Sequence, residues 1–352
     1  MLVIRSVTTA TRRAASSARV ARRGFTLGEL MVALLLFSIV GGGILTLVMR
    51  QQRFYRSAAE IIKVQGQLRQ GGSLLPADLR GVSTSDTTVN DDATENNTDI
   101  YSRADWHIEF RRTFGGSVVC RRTRLAAPQV DTLTLPPKSL GSGIAFSNWA
   151  IAPQVGDSVL VLDDWTTVGP GDDHWRAYEV TDIKPVTGVD GCPWKNQTAG
   201  DSTPLLYESD NTRQSFKIAL NDTLRRTIIV GAPVRFFRRV RYEIYQAPDQ
   251  QWYLGYSDCL RTYDTWNLCS EVTPVSGPYT PYTGIASENG LQFAYYDGNG
   301  DLLDAAAPSW GIARVDVVMR SATTNTVTRT GAGPGEYYRD SLVFSIGIRN
   351  RR

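Results

Sequence analysis

Residues 22–50 read RRGFTLGELMVALLLFSIVGGGILTLVMR, and the reading of this stretch decides how the rest of the chain is arranged. From Phe25 to Met49 the sole ionisable side chain is Glu29. One helix of that length crosses a bilayer's hydrocarbon core, which takes roughly 20 apolar residues at about 1.5 Å rise each. Arg19, Arg22 and Arg23 precede it, and Arg50 and Arg53 follow it. The denser cluster comes first, so the positive-inside tendency keeps that end cytoplasmic and exports the remaining chain. A secretory signal has the opposite order, with a short apolar core ahead of the cut. Here the basic leader ends at Gly24 and the apolar run follows it. An unpaired carboxylate in lipid costs at least about 2.5–3.5 kcal/mol. Glu29 therefore calls for a partner.

With 352 residues the chain has room for one large or two modest domains. An apolar content of 42% supports a sizeable core, and 31 Gly with 16 Pro imply many turns. The formal charge of +3 misleads. Residues 1–24 hold six arginines and no acid, so residues 25–352 carry 32 basic and 35 acidic side chains, a net −3. The basic balance belongs to the leader and does not point to nucleic acid. Four cysteines, Cys120, Cys192, Cys259 and Cys269, in an exported chain predict two disulfides. Cys259 and Cys269 enclose a short polar loop and form one candidate pair. Cys120 with Cys192 follows by elimination, although sequence does not fix the connectivity. No CxxC occurs, and His107 and His174 lie far from the cysteines in sequence, so a zinc reading has little support.

Past Met49 the apolar run becomes amphipathic. Phe54, Ala58, Ile61, Val64 and Leu68 recur at three- and four-residue steps and share one helical face. That face predicts a stripe docked on a folded domain. Gly41-Gly42-Gly43 interrupts the apolar half, either as a close-packing face or as a point where the helix bends. Gly71-Gly72 is expected to end the long helix near Gln70. Leu74–Leu79 adds a further helical turn to about residue 80, with Pro76 tolerated near its start. Residues 83–98 are Asp/Asn/Thr-rich and read as a surface loop. From about residue 100 the period is mostly two. Candidate strands are Trp106–Arg111, Ser117–Arg121, Ser158–Leu162, Trp175–Ile183, Phe216–Leu220, Val234–Tyr245, Gln251–Tyr256, Leu291–Tyr296, Ile312–Arg320 and Ser341–Ile348. In the last, Leu342, Phe344, Ile346 and Ile348 alternate with Val343, Ser345, Gly347 and Arg349, as a half-buried antiparallel strand requires. The predicted class is α+β: a long amino-terminal helix, partly transmembrane, packed on an antiparallel β-sheet domain with insertions.

Gly24-Phe25-Thr26-Leu27-Gly28-Glu29 resembles the prepilin motif of type IV pilins and type II secretion pseudopilins. The resemblance implies cleavage between Gly24 and Phe25 by a prepilin peptidase, and N-methylation of Phe25. It implies that Glu29 pairs with the new amino terminus of a neighbouring subunit, the partner that electrostatics asks for. LLPADLRGV at 74–82 is similar to the LxxDLR segment of PilW-like minor pilins and J-type pseudopilins. GDSVLVLDD at 156–164, VRYEIYQ and QWYLGY, LQFAYYDGNGDLL, ARVDVVMRS and the ending SIGIRNRR resemble further PilW-like strands. The resemblance covers the first 80 residues and, more loosely, residues 230–352. The implied organisation is a leader (1–24), a membrane and filament-core helix (25–49), its amphipathic continuation (50–80) and a β-rich periplasmic or extracellular domain (81–352). The implied function is a minor pilin in a pilus tip or initiation complex, held in the inner membrane before assembly. Implied partners are other pilins, the prepilin peptidase and the inner-membrane assembly platform. The alternatives are a J-type pseudopilin of a secretion system, or a filament-tip adhesin or DNA-binding subunit.

Other candidate sites read more simply as structure. Asp297, Asn299 and Asp301 follow the D-x-N-x-D pattern of a calcium loop, but no bidentate Glu follows and Asp-Gly and Asn-Gly equally signal a hairpin. No other cofactor is indicated. Asp163-Asp164 and Asp172-Asp173 with His174 bracket a Gly/Pro loop, and nothing fixes their mutual geometry for acid–base work. Residues 234–242 mix base and aromatic as single-strand nucleic-acid surfaces do. Phe236, Val240 and Tyr242 nevertheless share one face and Arg239 and Arg241 the other, as in a core strand. Residues 274–284 (PVSGPYTPYTG) read as a Pro/Tyr loop. No nucleophile elbow, P-loop or dinucleotide fingerprint occurs, so no enzyme is indicated.

Overall fold

The computed structural model describes residues 25–82, 99–123, 131–138, 147–163, 174–193, 212–259, 269–327 and 335–348. The chain divides into two compact units, Met1–Arg56 and Ser57–Arg352. In the first, the described residues form the start of a single helix, α1 (Leu27–Leu79). Its apolar window has a mean hydropathy of 2.5 and buries none of its residues within the protein. The helix passes through Gly41-Gly42-Gly43 without a break.

In the second unit α1 carries a buried stripe of Val64, Leu68, Gly71, Leu75 and Leu79, at helical spacing. The predicted stripe starts late, because Phe54 belongs to the first unit and is exposed. Gly71 and Gly72 do not end the helix. They let it approach the sheet. A methyl group on Gly71 would overlap the Tyr279 hydroxyl and lie 3.0 Å from Met319 Cε, and one on Gly72 would overlap Leu342. Packing thus outweighs the roughly 1 kcal/mol that each glycine costs a helix.

The strands are β1 (Ile100–Arg103), β2 (His107–Val118), β3 (Arg121–Thr123), β4 (Thr132–Leu135), β5 (Asn148–Trp149), β6 (Ser158–Asp163), β7 (His174–Val186), β8 (Ser215–Leu220), β9 (Pro233–Gln246), β10 (Trp252–Asp258), β11 (Thr273–Tyr279), β12 (Leu291–Tyr296), β13 (Arg314–Ala322) and β14 (Arg339–Gly347). All pairings are antiparallel. The two expected strands at Trp106–Arg111 and Ser117–Arg121 are one, since β2 runs through Gly115-Gly116. A side chain on Gly115 would meet the backbone of β5 at 2.8 Å. Residues 273–279 are a strand and not a loop. Their prolines are tolerated because β11 is an edge strand that pairs with β10 alone.

A two-stranded ribbon of β2 and β9 is the spine of this unit, paired from His107–Glu243 to Val118–Pro233. At the Val118 end the order β9-β6-β7-β8-β4-β3 returns to the chain segment it left, because β3 continues β2 after Cys120. The result is a small closed barrel inserted between β2 and β9, and closure removes exposed edges. Its interior holds Phe114, Val119, Leu133, Val159, Ile218, Leu220 and Phe236, all buried. At the His107 end the ribbon joins β10, β11 and the separate β12-β13-β14 sheet around α1. There Leu68, Leu75, Phe110, Tyr242, Leu254, Phe293 and Val317 form a second core.

Both predicted disulfides are present. Cys120–Cys192 closes a span of 72 residues within the barrel insertion, and Cys259–Cys269 closes one of 10. On the chain-entropy account the longer link stabilises the fold by about 4 kcal/mol.

Candidate functional site

At the start of α1 the side chains of Thr26 and Glu29 satisfy each other's backbone. Glu29 N donates to Thr26 Oγ1 at 3.2 Å, and Thr26 N donates to Glu29 Oε2 at 3.0 Å. The Thr26 hydroxyl also bonds Glu29 Oε2 at 3.2 Å. This is a capping box, built from T-x-x-E directly ahead of an apolar helix. It answers orphan N–H groups in the first turn and sets a carboxylate at the positive end of the helix dipole. Sequence reasoning took Glu29 for an acid in need of an external partner and missed the local one, although Thr26 three residues upstream is its signature. After this turn the apolar side chains, Leu30 to Val48, face outward, and Phe37 is 77% exposed. A helix that is apolar all round and buries nothing internally can only be satisfied by lipid or by other helices.

Residues 19–45 match the prokaryotic N-terminal methylation motif. No curated protein and no solved structure matches the chain. The methylation motif makes the amino terminus type IV pilin-like, and the apolar helix behind it fits a membrane anchor. The motif includes Phe25 and the capping pair Thr26 and Glu29. Gly24, on the other side of the expected scissile bond, lies outside the described residues, as does the rest of the 1–24 leader.

The LxxDLR-like segment has a structural task. Asp78, on the last turn of α1, accepts the Tyr242 hydroxyl at 2.6 Å and pairs with Arg112 Nε at 3.0 Å. It fastens the helix end to the β2–β9 ribbon. Burial and the Asp78 carboxylate together push the Tyr242 hydroxyl well above the ordinary tyrosine range. Higher up, Ser276 Oγ donates to Gln67 O at 2.9 Å, and Asn325 Nδ2 to Glu60 Oε1 at 2.9 Å.

The outward face of β9 resolves the base–aromatic pattern. Arg239 pairs with Glu109, and Arg241 reaches the same carboxylate at 3.2 Å. Arg239 also lies over Tyr101 at 4.5 Å, and Arg235 over Trp175 at 4.4 Å. These guanidiniums are engaged within the protein. Phe236, Val240 and Tyr242 face the cores as predicted. Between them sits Arg238, which sequence reasoning did not separate from its neighbours. It is 5% exposed and holds the fully buried Asp157 through two bonds, Nε–Oδ1 at 2.7 Å and Nη2–Oδ2 at 2.9 Å. It stands where β9 exchanges β6 for β10 as its neighbour, and so divides the two cores.

The Asp297-Asn299-Asp301 segment is a turn between β12 and Leu302. Asp297 Oδ1 accepts the N–H groups of Asn299 at 2.8 Å and Asp301 at 2.9 Å. Its Oδ1 is turned to the backbone in the manner of an Asx turn, and its Oδ2 accepts Asn299 Nδ2 at 3.3 Å. Asp163 is buried against Arg176 Nε at 2.7 Å. Asp164, Asp172 and Asp173 lie outside the described residues. Among the described residues, Glu109, Cys259 and Cys269 bring metal-type donor atoms within 4.8 Å of one another. Those two sulfurs are joined in a disulfide and the carboxylate is held by two arginines, so the group is not arranged to take a cation. His107 is buried on Trp106, with its Nε2 2.9 Å from Ser102 Oγ. Burial, and then Arg241, lower its pKa to about 4.

Proposed function

We propose that this chain is a PilW-like minor pilin, cut between Gly24 and Phe25, methylated at Phe25 and built through α1 into a type IV pilus, in its tip or initiation complex. The single observation that carries the reading is the methylation motif at 19–45 placed on a capped helix whose large apolar side chains from Leu27 to Met49 face outward. In assembly the apolar helices of several subunits share a core, and Glu29 pairs with the methylated amine of a neighbouring subunit. The Thr26–Glu29 box holds the carboxylate ready at the first turn. The two-cored β unit is the part presented outside the membrane. A J-type pseudopilin shares all these features, and a gene neighbourhood of secretion machinery would favour it.

Mass spectrometry of the protein recovered from envelopes should find a chain beginning at N-methyl-Phe25. A terminus at Met1 in the working protein would refute the proposal. Glu29→Val should leave the chain in the membrane but poorly incorporated into filaments. Thr26→Ala removes the cap, worth about 1 kcal/mol, and keeps the carboxylate, so it should assemble nearly normally. Equal defects in the two variants would reduce Glu29 to a capping residue.

A further inference from the structure

Within the first unit α1 carries charge at two levels only. Glu29 stands in its first turn, and Arg50, Arg53 and Arg56 stand where the unit ends. The twenty residues between them, 30–49, include no ionisable side chain. At about 1.5 Å rise per residue they measure about 30 Å, the thickness of a bilayer's hydrocarbon core. Two hydroxyls lie in that interval, and both turn to the helix's own backbone. Ser38 Oγ donates to Leu35 O at 2.9 Å, and Thr46 Oγ1 to Gly42 O at 2.8 Å. A helix whose hydroxyls are satisfied internally suits lipid.

The arginines begin where that length stops. All three are exposed, and none has an ion-pair partner among the described residues. No acid occurs between Glu29 and Glu60. Steps of three residues set the arginines within about 9 Å of height and over about 120° of the helix circumference. Phe54 and Tyr55 take the adjoining arc, both exposed, with their rings 6.0 Å apart. Like charges on neighbouring turns destabilise an isolated helix. An arginine cluster on the exported flank of a span also runs against the positive-inside tendency. An anion held at this level offsets both effects.

We propose that Arg50, Arg53 and Arg56, flanked by Phe54 and Tyr55, form a collar that binds the phosphate headgroups of anionic phospholipids at the exported face of the membrane. This rests on the reading above that α1 spans the membrane with residues beyond Met49 exported. Guanidiniums suit the occupant, because their planar fork takes two phosphate oxygens at once, and residues 50–56 hold three arginines and no lysine. Aromatic rings at the same level suit it too, since they settle at the headgroup boundary. A second copy inserted at the same depth brings its own arginines to this level and no carboxylate, so it repels. Bound phosphates would fix how deep α1 sits, and a subunit drawn out of the bilayer has to leave them behind.

The test takes the protein recovered from envelopes into phosphatidylcholine vesicles. These carry a trace of spin-labelled phosphatidylglycerol or spin-labelled phosphatidylcholine, and electron paramagnetic resonance reads the share of each label that the protein immobilises. The preference for phosphatidylglycerol should be about fivefold higher in the natural protein than in the variant Arg50→Gln, Arg53→Gln, Arg56→Gln. The variant Lys63→Gln, Arg69→Gln removes two exposed cations farther along α1 and should keep the full preference. An equal preference in the natural protein and the triple variant overturns the collar, and so does an equal fall in the Lys63 and Arg69 variant. Loss of self-association in the triple variant, with the lipid preference kept, assigns the arginines to a second copy and overturns it as well. A chain released from envelopes by alkaline carbonate sinks the spanning reading and the collar with it. A chain that resists carbonate but shows no lipid preference sinks the collar alone.

Discussion

Asp157→Ala removes the main counter-charge of a guanidinium that is 5% exposed. Two bonds at 2.7 and 2.9 Å are lost at once, and the remaining neighbours of Arg238 are Asp258 at 3.5 Å and Ala152 O at 3.5 Å. Breaking a buried ion pair from one side typically costs 3–5 kcal/mol, because the other charge stays buried. Asp258 retains part of the compensation, so a loss of about 3 kcal/mol is expected, at the low end of that range. For a folded unit of this size that corresponds to a fall in Tm of roughly 5 °C. The unit beginning at Ser57 carries eight tryptophans as reporters, and urea unfolding followed by their fluorescence gives the free energy directly. Asp157→Leu combined with Arg238→Met removes both charges and should recover at least half of the loss, since apolar replacements of buried pairs are often neutral or stabilising. A single variant costing under about 1 kcal/mol, or a double variant less stable than the single one, would refute the view that Arg238 and Asp157 are a mutually dependent buried pair.

Glycines on opposite faces of α1 should respond with opposite sign. Gly71→Ala would press a methyl group into Tyr279 and Met319, and is expected to lower stability by about 1 kcal/mol after the gain in helix propensity. Gly66→Ala meets nothing within 4 Å and should raise stability by about 0.5–1 kcal/mol in the same urea titration. His107 is neutral in the fold, with its pKa lowered to about 4, against about 6.5 in the unfolded chain. Its contribution to stability is therefore complete above pH 6.5 and is lost as pH falls from there towards 4. His107→Gln should flatten the Tm profile across that interval, and an unchanged slope would assign the acid sensitivity to carboxylates.

The amino-terminal segment was legible because one acid in an apolar run, a preceding glycine and a basic leader are all local signals. The alternation of Leu342, Phe344 and Ile346 likewise read correctly, since a half-buried strand writes its two faces into every second residue. Local signals failed where distant parts of the chain decide. Gly71-Gly72 looks like a helix stop until Tyr279, some 200 residues away, turns out to press on it. The prolines of 274–278 look like a loop until β10 offers them an edge. Arg238 looks like one more base on a basic strand. Only the change of neighbours from β6 to β10 places it between two cores. The barrel itself was not foreseen, because β3, β4 and β5 are two to four residues long and carry too little periodicity to be recognised.

Val118 and Pro233 face each other across the ribbon, and the strands β3 to β8 lie between them in sequence. The polypeptide therefore departs and comes back at adjacent rungs of one ladder. A piece hung in that way can be enlarged, exchanged or trimmed to a simple hairpin without shifting the rungs below it. The half that grips α1 is bound to keep its shape, whereas the half beyond Val118 is free to diversify, as an interchangeable head on a fixed shaft.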